Sequence, residues 1–252
     1  MAILKTFELT KRFGGVTAID SLDFEINEGE IKGLIGPNGA GKSTFFNLVT
    51  GVLKVNSGRI EYNNKDITKS KPHKVAKMGI GRTFQMNPLF GEFTVRENIR
   101  AAFHLRPKSS LIDIYFNSKK YRKNEKEIAQ ASEELIELLG LSDFRETQAK
   151  HLPYGFQKIL GVARAIATQP KLLMLDEPLG GLNPEEIDFS LNGISKMRDR
   201  GITVLVVEHN MQVLEILDSV TVISIGQKIF EGTPDEMRQN HTVAETYFGG
   251  VL

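Results

Sequence analysis

Up to about residue 60 the chain alternates apolar and polar positions in short runs. The alternation is strict over residues 22–26, and a turn-forming segment from Asn27 to Gly29 follows it. A period of two is typical of strands with one buried face, so this region predicts antiparallel β-structure. Residues 31–35 predict a short apolar strand that enters a glycine-rich turn, and residues 42–52 predict the helix that follows.

The middle of the chain carries a helical pattern. Thr94 and Glu97 have the spacing of a capping box, which predicts a helix from there to about Phe103. A second helix, ended by Gly140, is indicated by apolar residues at near-helical spacing, namely Ile128, Ala131, Leu135 and Leu138. We therefore expect a mostly helical lobe over residues 87–165 within a single domain of residues 1–252.

Residues 106–126 are strongly basic. Only Asp113 and Glu125 oppose seven cationic residues, which are Arg106, Lys108, Lys119, Lys120, Arg122, Lys123 and Lys126. This shift in composition indicates an insertion. A solvated helix face is the simpler interpretation of the charge. Contact with acidic phospholipid headgroups or a membrane partner is the alternative, since each cation contributes about 1 kcal/mol at an anionic surface.

Apolar strands and helices alternate in the last third of the chain. Strands are predicted over residues 171–175, 202–207 and 219–225, with helices over 184–197 and near 211–217. This alternation is typical of a parallel sheet covered on both faces. The predicted fold class is therefore α/β, with a parallel sheet, an antiparallel amino-terminal part and a helical lobe.

The composition of the chain excludes several classes of protein and of chemistry. The 252 residues are 40% hydrophobic and 25% charged, with no uncharged apolar run near the roughly 18 residues of a membrane-spanning helix and no signal-peptide pattern. We therefore expect residence on the cytoplasmic side. The absence of cysteine excludes disulfides and thiol catalysis, and the net charge of +1 argues against nucleic acid as a partner.

The strongest chemical signal is the segment from Gly36 to Ser43. It satisfies the pattern G-x-x-x-x-G-K-[ST] between a predicted strand and a predicted helix, and chance alone gives this pattern in roughly one chain per hundred of this length. In such a loop the backbone N–H groups converge on phosphate oxygens, Lys42 neutralises the β- and γ-phosphates, and Ser43 offers its hydroxyl to Mg²⁺. The segment predicts a nucleoside-triphosphate site.

A second signal is the pair Asp176 and Glu177 at the end of an apolar strand. A carboxylate at that edge of a parallel sheet can hold magnesium, and its neighbour can polarise the attacking water. Alone the pair is a weak signal. Together with the phosphate loop it predicts triphosphate hydrolysis.

With these motifs in this order, the chain resembles the ATP-binding-cassette (ABC) ATPases over nearly its whole length. The resemblance implies that Phe13 stacks on adenine, that Gln85 is the glutamine of the Q-loop and that His209 is the switch histidine. It implies Glu177, His209 and Gln85 as catalytic residues and Ser43, Gln85 and Asp176 as ligands of Mg²⁺. The implied nucleotide contacts are Phe13, Gly36, Pro37, Asn38, Gly39, Ala40, Gly41, Lys42, Ser43, Thr44, Tyr154, Gly155 and Gln157.

The family signature, usually Leu-Ser-Gly-Gly-Gln, is altered here. Its first residue, Leu152, is retained, but Pro153, Tyr154 and Phe156 depart from the pattern, and Gln157 follows. In the family this loop meets the γ-phosphate of ATP held by the opposite subunit. Pro153 has neither a hydroxyl nor an N–H, so two potential donors are missing there.

Within the family, residues 78–85 and the tyrosine of the signature look most like ATPases of branched-chain amino acid importers. The resemblance implies a peripheral position on the cytoplasmic face of the membrane, with transmembrane permease subunits and a second ATPase subunit, identical or different, as partners. An ATPase of a lipid or lipopolysaccharide exporter is an alternative, as is a non-transport ATPase such as one assisting iron–sulfur cluster assembly. A phosphate-binding module without hydrolysis is a third, disfavoured because the catalytic residue types are all present.

Overall fold

The structure, a computed structural model, describes residues 1–83, 89–104 and 109–248, with residues 246–248 described by backbone only. These residues form two sheets, nine α-helices and three short 3₁₀ segments. The strands are β1 (Ala2–Phe13), β2 (Val16–Asn27), β3 (Ile31–Ile35), β4 (Ser57–Tyr62), β5 (Lys65–Asp66), β6 (Ile80–Arg82), β7 (Leu172–Asp176), β8 (Thr203–Glu208), β9 (Ser219–Ser224) and β10 (Gln227–Gly232). The α-helices are α1 (Lys42–Val49), α2 (Pro72–Met78), α3 (Val95–Phe103), α4 (Leu111–Tyr115), α5 (Lys119–Leu138), α6 (Tyr154–Ala167), α7 (Pro184–Asp199), α8 (Pro234–Arg238) and α9 (His241–Phe248).

The chain divides into two compact units. The first contains Met1–Arg82, Lys171–Gly180 and Ile194–Leu252, and the second contains Thr83–Pro170 and Gly181–Gly193. The polypeptide therefore leaves the first unit after β6 and returns to it at β7.

Two sheets form the first unit. The antiparallel sheet has the order β2-β1-β4-β5, and the larger sheet has the order β10-β9-β3-β8-β7-β6. In the larger sheet only β10 pairs antiparallel, and the remaining pairs are parallel. Since β3, β8 and β7 are neighbours, their carboxyl ends lie side by side at one edge, which is where ligands bind in sheets of this kind.

A hydrophobic core joins the two sheets to α1. Phe24 of β2 and Phe45 of α1 lie with ring centroids 5.0 Å apart, and both side chains are buried together with Leu34 of β3 and Met174 of β7. Every residue of β3 and β7 is buried, because these strands are covered on both faces. Such packing fixes the strand ends rigidly beneath the loops that follow them.

The second unit is helical. The capping box at Thr94 forms as expected, with the Thr94 hydroxyl accepting from the N–H of Glu97 at 3.2 Å and the Glu97 carboxylate accepting from the N–H of Thr94 at 2.8 Å. The fully buried Asn98 side chain donates to the carbonyls of Phe90, Phe93 and Thr94 at 3.0–3.2 Å. The side-chain amide of Asn98 therefore supplies hydrogen bonds to backbone carbonyl groups of the turn that precedes α3.

The predicted α/β class is confirmed, with a parallel sheet, an antiparallel amino-terminal part and a helical unit. Two expectations were wrong in detail. The helix predicted over 42–52 ends at Val49, where Thr50 caps it. The element predicted as a helix near 211–217 is a 3₁₀ segment, Met211–Glu215, because its carbonyls are taken by bonds of shorter span. From residue 109 onward the basic stretch contains α4 and the first turns of α5, and its interpretation as an insertion stays a prediction.

Candidate nucleotide site

The glycine-rich loop connects the end of β3 to the start of α1. Gly41 precedes the helix with φ +108°, and a Cβ at this position would lie 2.4 Å from the carbonyl oxygen of Ala18. Both the left-handed backbone and the close approach therefore require glycine. No side chain caps α1 and no acidic residue lies in its first turn, so the amides of that turn are oriented for an anion.

Lys42 is buried in this loop, with 6% of the residue exposed. Its ammonium donates to the carbonyl oxygens of Gly36 at 2.6 Å and of Pro37 at 3.0 Å. Burial lowers the pKa of Lys42, and the carboxylates of Glu177 and Asp176 oppose that shift. The side chain is thus a poorly hydrated cation among negative groups, which suits it to exchange its carbonyl contacts for phosphate oxygens.

An open cavity brings the loop and the end of β7 together. Its lining residues are Ala18, Asn38, Gly39, Ala40, Gly41, Lys42, Ser43, Thr44 and Glu177. Phe13 lies at the end of β1 with 46% of its surface exposed, and the ammonium of Lys11 lies 4.9 Å from its ring centroid. The structure therefore places most of the predicted loop residues in one cavity with Glu177.

Asp176 is the last residue of β7 and is paired with Arg82 of β6. The guanidinium Nη2 lies 2.9 Å from Oδ2 of Asp176, and the two side chains are only 8% and 6% exposed. Arg82 also donates from Nη1 to Asn47 at 2.7 Å and to Thr50 at 3.2 Å, both in or next to α1. Arg82 thus ties the aspartate to the helix that carries the phosphate loop.

Glu177 has an unusual backbone. Its φ is +48°, in the left-handed region that a glutamate rarely adopts, and its N–H donates to Val207 of β8 at 2.9 Å. Strain of this kind persists where the surrounding structure enforces it and is concentrated at functional sites. The backbone directs the Glu177 side chain, 24% exposed, to the cavity.

A buried glutamate organises the neighbouring loops. Glu208, the last residue of β8, is fully buried, and its carboxylate accepts from the N–H groups of Leu179, His209 and Asn210 at 2.6, 3.0 and 3.2 Å. The adjacent His209 is 55% exposed, with Nδ1 4.0 Å from Oε1 of Glu177. Glu208 therefore holds the loop after β7 and the loop of His209 in one arrangement.

The signature residues begin α6 in the second unit. Pro153 occupies the N-cap position without a side-chain cap, and its carbonyl accepts from the N–H of Gln157 at 3.1 Å. Nε2 of Gln157 donates to the carbonyl of Leu152 at 2.9 Å, and Tyr154 is 57% exposed. The side-chain amide of Gln157 therefore forms a hydrogen bond to the backbone of the signature loop itself.

Gly155 has a packing reason for lacking a side chain. A Cβ there would lie 2.4 Å from the carboxyl group of Glu186, whose Oε2 accepts from the N–H of Asn183 at 3.0 Å at the start of α7. The N–H of Glu186 in turn donates to Asn183 Oδ1 at 2.9 Å. The signature glycine and the cap of α7 thus fit together within one unit.

Sequence reasoning missed three residues of this site: Ala18, Arg82 and Glu208. Ala18 lines the cavity and its carbonyl leaves no room for a Cβ at Gly41, but an alanine carries no chemical signal in the sequence. Arg82 and Glu208 are charged residues at the ends of apolar strands, and that position was the signal available for them. The predicted Gln85 lies outside the described residues.

The oxygen donors present fit magnesium bound with a nucleotide. Ser43 offers an exposed hydroxyl and Asp176 a carboxylate, and Mg²⁺ at such sites takes one or two protein oxygens together with phosphate oxygens and water. Among the described residues, no cluster of three or more histidines and carboxylates could hold a metal alone.

Comparisons with known proteins cover almost the entire chain. The sequence profile of the family described as "ABC transporter" matches residues 19–180. The chain is 38% identical over 249 residues to the high-affinity branched-chain amino acid transport ATP-binding protein BraF of Pseudomonas aeruginosa, covering 98% of each. It is 39% identical over 243 residues to LivG of Salmonella typhimurium, described in the same words, covering 96% of this chain and 95% of that protein.

A solved structure, the ADP conformation of MJ1267, an ATP-binding cassette of an ABC transporter, is similar with a TM-score of 0.84 and 35% identity over 99% of both chains. Within the described ranges, no helix is long and apolar enough to cross a membrane.

Proposed function

The chain belongs to the ABC transporter family as its ATP-hydrolysing cassette, and from this premise we propose that it powers an importer of branched-chain amino acids. The observation that carries the proposal is one cavity shared by the loop of residues 38–44 and Glu177, above the adjoining carboxyl ends of β3, β7 and β8. The assignment of the solute is supported by BraF and LivG, which are named for branched-chain amino acid transport and align with this chain over nearly its whole length.

The residues that the sequence assigns to the site divide the chemistry among them. Lys42 and the first-turn amides of α1 bind the triphosphate, and Phe13 stacks on the adenine. Glu177 accepts a proton from the attacking water, and His209 and Gln85 are the other two residues to which we assign catalytic roles. Ser43, Gln85 and Asp176 would hold Mg²⁺, which would supply positive charge to offset that of the phosphates.

We further propose that a second ATPase subunit faces this site. Tyr154, Gly155 and Gln157 would contact nucleotide held by that partner, and the chain would work as a single domain over residues 1–252. The cassette would lie peripherally on the cytoplasmic face of the membrane, against transmembrane permease subunits. ATP binding would close the dimer and hydrolysis would reopen it, so transport follows the shift between the two states.

The nucleotide assignment is tested by calorimetry of purified protein with Mg-ATP. Lys42→Ala should abolish tight binding, because a charge-assisted contact of about 1.5–3 kcal/mol is lost and phosphate charge is left unpaired. Lys65→Ala, which removes an exposed lysine of β5, is the matched control and should bind as the parent does. Unchanged affinity in Lys42→Ala would reject the site.

The solute is tested in membrane vesicles that contain the chain and its co-purifying membrane subunits. ATP should drive uptake of labelled leucine, with valine and isoleucine competing and urea not competing. Glu177→Gln should abolish uptake and Lys65→Ala should retain it. ATP-dependent release of lipid, or ATP hydrolysis without leucine uptake, would contradict the importer.

A further inference from the structure

The short helix α4 is apolar yet buries nothing. Of its five residues only Asp113 is charged, and none is buried within the chain. Leu111 is 84% exposed, Ile112 71% and Tyr115 83%, and Phe116, directly after the helix, is 73% exposed. Large exposed apolar patches mark interaction sites.

The structure holds this helix in place through its one acidic residue. The Asp113 carboxylate accepts from the N–H of Ser110 at 2.9 Å and from the hydroxyls of Ser110 and Ser118 at 2.8 and 3.0 Å. Ser118 itself caps α5, its hydroxyl accepting from the N–H of Tyr121 at 3.1 Å. The corner between α4 and α5 is therefore built to present apolar side chains outward, and its carboxylate is engaged in hydrogen bonds.

Cations follow the same corner on the outer face of α5. Lys119, Arg122, Lys123 and Lys126 lie at positions i, i+3, i+4 and i+7, which form one stripe on a helix, and all four are exposed. The buried residues of α5, such as Ile128 and Leu135, lie on the opposite side. Within the described part of the chain none of these four cations forms an ion pair.

We propose that α4 and Phe116, together with the cationic stripe of α5, bind the surface of an anionic phospholipid bilayer. Apolar side chains beside lysine and arginine are the combination by which helices attach to a membrane interface. A protein groove would accept the apolar residues but would not by itself account for four cations at the same corner that form no ion pair with any described residue. The inference is independent of the transported solute and of the nucleotide site.

The test is flotation of the purified full chain with lipid vesicles. The parent should bind vesicles of phosphatidylcholine mixed with phosphatidylglycerol and should bind pure phosphatidylcholine at least tenfold more weakly. Binding should fall as salt is raised, because the screening length shrinks from about 10 Å at 0.1 M to about 3 Å at 1 M.

Two variants separate the contributions. The apolar variant, Leu111→Ser/Tyr115→Ser/Phe116→Ser, removes apolar surface. The charge variant, Lys119→Gln/Arg122→Gln/Lys123→Gln, removes three cations. At about fivefold per cation, the charge variant should bind anionic vesicles up to about a hundredfold more weakly than the parent. The control, Lys65→Gln/Lys74→Gln/Lys77→Gln, removes the same charge from other exposed positions and should bind like the parent. Because α4 buries nothing, thermal unfolding and basal ATP hydrolysis should be unchanged in the apolar variant.

Loss of binding in both patch variants with retention in the control supports the proposal. Absence of parental binding to anionic vesicles would overturn it, as would equal binding by all variants. If the parent ignores vesicles while the apolar variant fails to co-purify with membrane subunits, the surface binds protein and the lipid assignment is wrong.

Discussion

Replacing Arg82 with methionine tests whether the phosphate-loop helix and the end of β7 are joined by a buried ion pair. Both partners are almost fully buried, with 8% of the Arg82 side chain and 6% of the Asp176 side chain exposed. Removing one member of such a pair leaves an uncompensated charge and costs about 3–5 kcal/mol. Methionine replaces much of the aliphatic stem of arginine, so the loss should come mainly from the guanidinium, which also lies 5.4 Å from the ring centroid of Phe46.

Urea unfolding is the appropriate assay, followed by far-ultraviolet circular dichroism because the chain has no tryptophan. Arg82→Met should lower the unfolding free energy by about 3–5 kcal/mol without changing the denaturant slope. Arg198→Met is the matched control, since Arg198 pairs with Asp199 and Asp218 on the surface with side chains 37–66% exposed. Exposed ion pairs contribute about 0–1 kcal/mol to the unfolding free energy, so Arg198→Met should lower it by no more than that.

A second variant isolates the charge effect. In Arg82→Met/Asp176→Leu neither charge is left buried alone, so the double variant should be more stable than Arg82→Met. If Arg82→Met lowered the unfolding free energy by less than about 1 kcal/mol, as expected for an exposed ion pair, the reasoning would be refuted. Strict additivity of the two single substitutions would refute it as well.

Two further predictions concern the signature loop. Gly155→Ala should lower the unfolding free energy by about 1–3 kcal/mol in the same urea assay, because the new methyl group meets the Glu186 carboxyl group. The control is Gly91→Ala, which should be nearly neutral because the nearest atom to its new methyl group lies at 3.6 Å. Equal effects would argue against the packing account. Pro153→Ser/Tyr154→Gly should raise ATP hydrolysis by the purified chain alone, since it restores a hydroxyl and an N–H to the loop, and no increase in a folded double variant would show that the departures are compensated locally.

Much of the core could be predicted because its elements follow from local pattern. The strand before Gly36 is apolar except for Lys32, and residues 172–175 before Asp176 are a continuous apolar run, as is typical of buried parallel strands. The capping box at Thr94 needs only residues three positions apart, so the start of α3 was predictable as well. Once both strands are placed in one parallel sheet, the meeting of the phosphate loop with Glu177 is expected.

The elements that were missed lack such a pattern. The strand β10 is mostly half-buried or exposed at the sheet edge, so its residues do not form a clean apolar run. The helix α4 has no periodicity because nothing in it is buried, and its apolar residues resemble a core segment in the sequence alone. The roles of Arg82 and Glu208 depend on partners far apart in sequence, Asp176 and Leu179, which no local pattern specifies.

The most direct test of the proposed hydrolysis is the turnover of Glu177→Gln, measured with Mg-ATP beside its nucleotide affinity. The variant should bind ATP as the parent does and hydrolyse it roughly 10²–10⁴ times more slowly, the range for loss of a general base. Glu215→Gln, at an exposed position of the 3₁₀ segment, should leave both quantities unchanged. Parental turnover in Glu177→Gln would show that this carboxylate does not activate water and would contradict the assignment of the site.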